Sequence, residues 1–207
     1  MYASTRVVHA RINRVGDAVA LMKKSAERIN ALCGTNYSVG VNLGNEPGMI
    51  SMAATYEHLK DLEKVRAAMW SDAEIGRLMH FAGEVLVPGH ENERDSIHEV
   101  RLEGGERKEW VIAKTVRCLP GHRLEAAAAG VELAQLMSVI LGSKIGFATA
   151  VTGDLSRCIM LGNFASLDAL ETGRKKLFSN ADYNKALKDA STIFNGDTQR
   201  LSIWQRV

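Results

Sequence analysis

Three side chains are the first candidates for chemistry. His9 and Arg11 stand two residues apart in the alternating stretch Val7-Val8-His9-Ala10-Arg11-Ile12-Asn13, and Arg117 stands in the second half of the chain, within Val116-Arg117-Cys118. A guanidinium holds a carboxylate or an enolate through two parallel hydrogen bonds, and a neutral imidazole serves as a general base. Together they suit proton abstraction from, or oxygen addition to, a small acidic or phenolic compound. Asn13, Tyr37 and His98 are the polar residues placed to contact such a substrate. The bland alternative is that His9 and Arg11 only solubilise an exposed strand face.

Chemistry of this kind needs elements that hold the three residues on one surface. Residues 5–13 alternate and are β-branched at the start, which predicts a strand. On it Val8, Ala10 and Ile12 form the apolar face, and Val7, His9, Arg11 and Asn13 the other. Residues 17–33 carry Ala18, Leu21, Met22, Ile29 and Leu32 on one helical stripe, with Gly34 as the stop. Strands over 37–43 and 49–56 flank a turn at Asn45-Glu46-Pro47-Gly48. Leu59, Leu62, Val65 and Met69 mark a helix, and Ser71-Asp72 caps a further one running to about Val87, closed by Pro88-Gly89. A strand over 95–102 follows. It presents Ser96 and His98 on one face and Glu99 and Arg101 on the other, and the spacing leaves open which face turns inward.

The same order recurs. Leu59-Lys60-Asp61-Leu62-Glu63-Lys64-Val65-Arg66 and Leu167-Asp168-Ala169-Leu170-Glu171-Thr172-Gly173-Arg174 share the pattern L-x-x-L-E-x-x-R. The offset that superposes them also pairs, without a gap, Val8 with Val116, Ala18 with Ala126, Ala26 with Ala134, Gly34 with Gly142, Met52 with Met160 and Trp70 with Phe178. It puts Arg117 in the place of His9. The chain reads as a tandem duplication. The second half has strands over 110–118, 145–151, 155–164 and 199–206, with helices over 123–141 and between 166 and 194. The expected organisation is a first repeat over 1–103, a polar linker over 104–109 and a second repeat over 110–207.

Each half is then a β-α-β-β-α-β unit of ferredoxin-like type, and the fold class is α+β. A four-stranded antiparallel sheet with helices on one side leaves its other face bare, and the sheet of the other half is the nearest cover. Two such sheets packed face to face make one α/β barrel with a central cavity. With this element order in both halves, and with Trp70-Ser71-Asp72 and Phe178-Ser179-Asn180 leading into the last helices, the sequence resembles the dimeric α/β-barrel superfamily in single-chain form, on the side of its antibiotic-biosynthesis-monooxygenase-like branch. The resemblance implies a monooxygenase-like or isomerase-like enzyme that works in the barrel cavity without a tightly bound organic cofactor. It also offers two alternatives. One is a non-catalytic ligand-binding or assembly protein. The other is a haem protein with His80 on the last helix of the first half as axial ligand, in which case Leu78 stands at the ligand's expected place and Lys188 at the mate of His80.

Composition narrows the partners. The 207 residues carry 26 basic and 24 acidic side chains for a net charge of +2, which gives no electrostatic reason to expect nucleic acid or an anionic membrane. Ala126 to Leu141 is the most apolar stretch, and Glu132 and Gln135 interrupt it. Cys33, Cys118 and Cys158 are odd in number and widely spaced, as reduced cysteines of a cytoplasmic protein would be, and the charged N-terminal segment does not look like a signal peptide. No Cys/His cluster, helical His pair or glycine-rich phosphate loop is present, so no metal is expected. The charged stretch from His90 to Asp95 reads as a solvated rim. The expected partner is a small molecule, bound by a monomeric barrel or a homo-oligomer of barrels.

Overall fold

The computed structural model describes residues 1–44, 48–89 and 94–207, so the turn expected at 45–47 and the rim at 90–93, with His90, lie outside the described residues. The fold is α+β, with eight strands and six α-helices among the described residues. The chain divides into two compact units, residues 1–97 with 205–207, and residues 98–204.

The first unit runs β1 (Tyr2–His9), a 3-10 turn (Ile12–Arg14), α1 (Val15–Cys33), β2 (Ser38–Asn42), β3 (Met49–Tyr56), α2 (Leu59–Ser71), α3 (Ala73–Val85) and the start of β4 (Arg94–Leu102). β3 pairs antiparallel with β1 on one side, Val8 opposite Ile50 and His9 opposite Met49, and with β2 on the other, Val39 opposite Met52. Alternation sends Val8, Ala10, Val39, Ile50, Met52, Ala54 and Tyr56 to one face, where they pack under Ala18, Leu21, Met22, Ala26 and Ile29 of α1 and under Val65, Ile75 and Val85 of α2 and α3. Gly34 ends α1 at φ 64°, its N–H returned to the Asn30 carbonyl.

β1 stops at His9, earlier than its alternation suggests. The Val87 amide donates to the His9 carbonyl and the Arg11 amide to the Val85 carbonyl, so the end of α3 takes over the backbone groups that a longer strand would offer. The chain then turns through Ile12–Arg14, which leaves Ile12 87% exposed instead of under the helices. Arg11 and Asn13 are exposed with it. The cap of α3 is Asp72, whose Oδ1 accepts from the Glu74 and Ile75 amides, while Ser71 closes α2.

Arg28 of α1 grips Asp72 through Nη2 at 2.6 Å and Nε at 3.3 Å. That fork, with the two cap bonds, holds the Asp72 carboxyl at about 2 against its ordinary 3.8. A depressed folded-state pKa stabilises above the unfolded value, and the stabilisation drains away as pH falls through the folded one. Acid melting from pH 5 to pH 2 is therefore expected to fall more steeply for the natural chain than for Asp72→Asn. The variant keeps an N-cap oxygen and loses the charge; parallel curves would remove Asp72 from the acid response.

The second unit holds the end of β4, β5 (Trp110–Cys118), α4 (Arg123–Leu141), β6 (Ile145–Ala150), β7 (Arg157–Phe164), α5 (Leu167–Ser179), α6 (Ala181–Ala190) and β8 (Phe194–Arg206) as far as Trp204. β7 lies between β5 and β6, Val116 opposite Cys158 and Phe147 opposite Met160. β6 pairs on its far side with β4, and β8 lies beside β5, where Thr198 Oγ1 accepts from the Arg117 amide. β8 begins at Phe194, five residues before its sequence pattern does. Cys118, Ile145, Phe147, Cys158 and Met160 pack against Ala126, Leu133, Ala134 and Met137 of α4, Leu177 of α5 and Tyr183 of α6. α4 is long and apolar enough to cross a membrane by length and composition alone, yet it sends these four residues into the core.

Candidate functional site

A cavity of about 110 Å³ lies on the helix side of the second sheet, between β5, β7, α4, α6 and the start of β8. Leu133, Phe147, Met160 and Leu187 make most of its wall, and Lys114, Ser191 and Gln199 bring the polar atoms. Lys114 is there because β5 alternates: Ile112, Lys114, Val116 and Cys118 share a parity, and Val116 and Cys118 belong to the helix-side core. A lysine on an apolar stripe is the signal that periodicity offered for this site.

The electrostatics of Lys114 separate it from the other cations. Arg6, which the internal offset pairs with Lys114, forks Asp95 with Nε at 2.7 Å and Nη2 at 2.6 Å. Where Asp95 would recur at that offset the chain has Ile203, and Lys114 has no carboxylate or hydrogen-bond partner for its amine among the described residues. Burial lowers its pKa, because an ammonium stripped of water is harder to keep than a neutral amine. Cys158, also in the wall, is pushed up to about 12, first by burial and then by neighbouring Cys118. It therefore stays a thiol and acts as apolar lining.

None of the residues singled out from the sequence lines this cavity. His9 ends β1 on the face away from the helices, and a Cβ placed on Gly48 would lie 3.7 Å from its Nε2. Arg117 ends β5 on the corresponding face of its own sheet, exposed and ion-paired with Asp154. Tyr37 turns to the helix side of the first sheet. Its hydroxyl accepts from Tyr56 at 2.5 Å and its backbone is clasped by the Asn30 amide, so it acts as a core brace. Burial, followed by that hydroxyl contact, raises the Tyr56 pKa.

His98 is 4% exposed and lies opposite Ala150 on the face of the second sheet that turns away from the helices. His98 and Arg117 thus share one face of one sheet, and His9 with Arg11 and Asn13 belong to the other unit. Asn42 was not foreseen. It ends β2 on the away face of the first sheet, 8% exposed, with neither amide atom hydrogen-bonded among the described residues.

The haem alternative needs a histidine facing a slot deep enough for the macrocycle. His80 is exposed on α3, whose buried residues are Ile75 and Val85, and Leu78 packs against the core of the first unit. These residues do not fit the group. Among the described residues no three or more His, Cys, Asp or Glu are grouped to hold a metal ion.

No family model matches the chain, and a search of curated proteins finds no match. Solved structures do resemble it. A "putative monooxygenase" from Fusobacterium nucleatum superposes with a TM-score of 0.74 over 99% of this chain and 91% of that one, at 7% identity. A "putative monooxygenase" from Lactobacillus acidophilus gives 0.70 over 99% and 93%, at 8% identity. An anthrone oxidase-like protein gives 0.67 over 100% and 91%, at 14% identity. At such identities the likeness is one of fold alone, α+β.

Proposed function

We propose that the protein is a small-molecule enzyme of the monooxygenase-like or isomerase-like kind, acting on a compact, mostly apolar phenol or enolisable acid. The observation that carries the reading is the apolar cavity of about 110 Å³ with an unpartnered, half-buried lysine in its wall. At about 110 Å³ the cavity is smaller than the roughly 150 Å³ that accepts benzene, so only part of such a substrate enters it. In its unprotonated form, which burial favours, the Lys114 amine takes the proton of a phenol or of a carbon acid, and the resulting ammonium holds the phenolate or enolate that forms. Isomerisation returns that proton to another atom; oxygenation adds dioxygen, a second substrate, to the same anion. Ser191 and Gln199 orient the oxygen of the substrate. The fold shared with monooxygenase-like proteins is compatible with this chemistry and does not by itself argue for it.

The duplication and the barrel belong to the same proposal, since a sheet with helices on one side needs a cover for the other. So do a cytoplasmic location and work without a tightly bound organic cofactor. His9, Arg11 and Arg117, with Asn13 and His98 as contacts, describe a competing position for the chemistry inside that barrel, and Tyr37, on the helix side of the first sheet, takes no part in it.

Dioxygen uptake and proton exchange on a panel of small phenols and 1,3-diketones separate the two positions. Lys114→Met keeps the apolar stem and removes the base, and is expected to lower kcat by about 100-fold or more, with His9→Ala and Arg117→Ala near the natural rate. Loss of turnover in the latter two, with Lys114→Met unaffected, would move the chemistry to the other face of the sheets.

A further inference from the structure

Lys114 differs from the other lysines of the chain in where it stands. Among the described residues every other lysine is exposed. Lys114 is half-buried and borders the cavity, with Phe147, Met160, Leu187 and Phe194 in the same wall. No ion pair or hydrogen bond holds its amine among the described residues. The other candidate nucleophiles of that wall are occupied or inert. Cys158 stays a thiol, and Ser191 donates its hydroxyl hydrogen to the Lys188 carbonyl at 2.6 Å. The amine is therefore the nucleophile that the cavity presents.

The surroundings favour one kind of bond to that amine. An ammonium at this place is stripped of water, and burial accordingly lowers the Lys114 pKa. An imine carries no charge, so the apolar wall that works against the ammonium does not work against it. Size adds a second restriction. About 110 Å³ is short of the roughly 150 Å³ that takes a benzene ring, so a chain of a few carbons enters whole.

We infer that Lys114 captures a short aliphatic aldehyde or ketone covalently, as an imine inside the cavity. The amine nitrogen adds to the carbonyl carbon, and the carbonyl oxygen leaves as water with the two amine hydrogens. A carbon–nitrogen double bond replaces the carbon–oxygen one, and no oxidant or reductant enters. The inference rests on the reading of this cavity as the place of the chemistry, and among carbon acids it selects aldehydes and ketones.

Reductive trapping of the full chain tests it. Propanal and 2,2-dimethylpropanal are each supplied with sodium cyanoborohydride at pH 7, and the labelled lysines are located by peptide mass mapping. Hydride fixes each imine as a secondary amine. Propanal is expected to label Lys114 at least about tenfold faster than the exposed Lys144, because a lysine in water is almost wholly protonated at this pH. The branched aldehyde, as bulky as benzene, does not fit the cavity and is expected to erase that preference. Lys114 labelled no faster than Lys144, or equally fast by both aldehydes, would overturn the inference. In that event Lys114→Met separates it from the reading beneath it. Loss of proton exchange in the variant leaves the amine as a base alone, and unchanged exchange removes the cavity as the place of the chemistry.

Discussion

Gly130→Ala is expected to destabilise the second unit by about 1–3 kcal/mol, the range of an overpacked core. In most helices the same change stabilises by about 1 kcal/mol, because alanine is the better helix former. The sign reverses because Gly130 of α4 lies flat against the Phe147 ring. A Cβ there would fall 2.1 Å from Cζ and 2.4 and 2.6 Å from the two Cε atoms. Phe147 is 2% exposed, and its ring can give way only by swinging into the cavity that it walls beside Leu133 and Met160, which breaks its packing under α4. Phe147→Leu removes the ring edge, so Gly130→Ala should become neutral or stabilising in that background. Urea unfolding of the two single variants and the double gives the coupling, expected to exceed about 1 kcal/mol. A stabilising Gly130→Ala in the natural background would show that the ring does not limit the helix-to-sheet distance.

Asn42→Val is expected to work the other way and raise stability by about 1–3 kcal/mol, the desolvation penalty of a buried polar group left without a partner. Both amide atoms of Asn42 are in that condition. Valine suits a strand position, and the residue that the internal offset pairs with Asn42 is already apolar, Ala150. The urea midpoint reads the change directly. A drop in stability would mean that the amide is satisfied in solution by bound water, which is worth as much as a direct bond.

The periodic elements were legible to the residue where local chemistry decides them. β3 over Met49–Tyr56, β5 over Trp110–Cys118 and α4 over Arg123–Leu141 match their hydrophobic patterns, and Gly34 and Gly142 end their helices in the left-handed conformation that favours glycine. Where a distant segment decides, the pattern misleads. Alternation runs on through Ile12 and Asn13, but β1 is terminated by Val85 and Val87, more than seventy residues away, and no feature of residues 5–13 announces them. The parity of β4 stayed open for a related reason: a bulge between Val100 and Leu102 shifts its register on β6. Tyr37 opens an alternating run, and the sequence alone offers it as a substrate contact. Its hydroxyl instead finds Tyr56, which only the fold brings near.

The candidate site was legible in residue type more than in place. His98 and Arg117 share a face, yet neither lines the cavity. Lys114 and Asn42 went unremarked because each is ordinary in its own window. Lys114 stands out only when the stripe it interrupts is known to lie under helices, and Asn42 only when its burial is known.

The division between the units falls at residues 97 and 98, inside a strand, and not in the polar stretch at 104–109. A protease that nicked that stretch would leave residues 98–102 on the wrong fragment, cut off from β6, and would leave β6 with a bare hydrogen-bonding edge. The order of synthesis has the same consequence. Residues 98–102 emerge from the ribosome some fifty residues ahead of Ala148, Thr149 and Ala150, with which they pair, and the Val39 carbonyl waits for the amide of Val207. The first unit cannot finish folding as it is made, so it depends on staying soluble until residues 205–207 arrive.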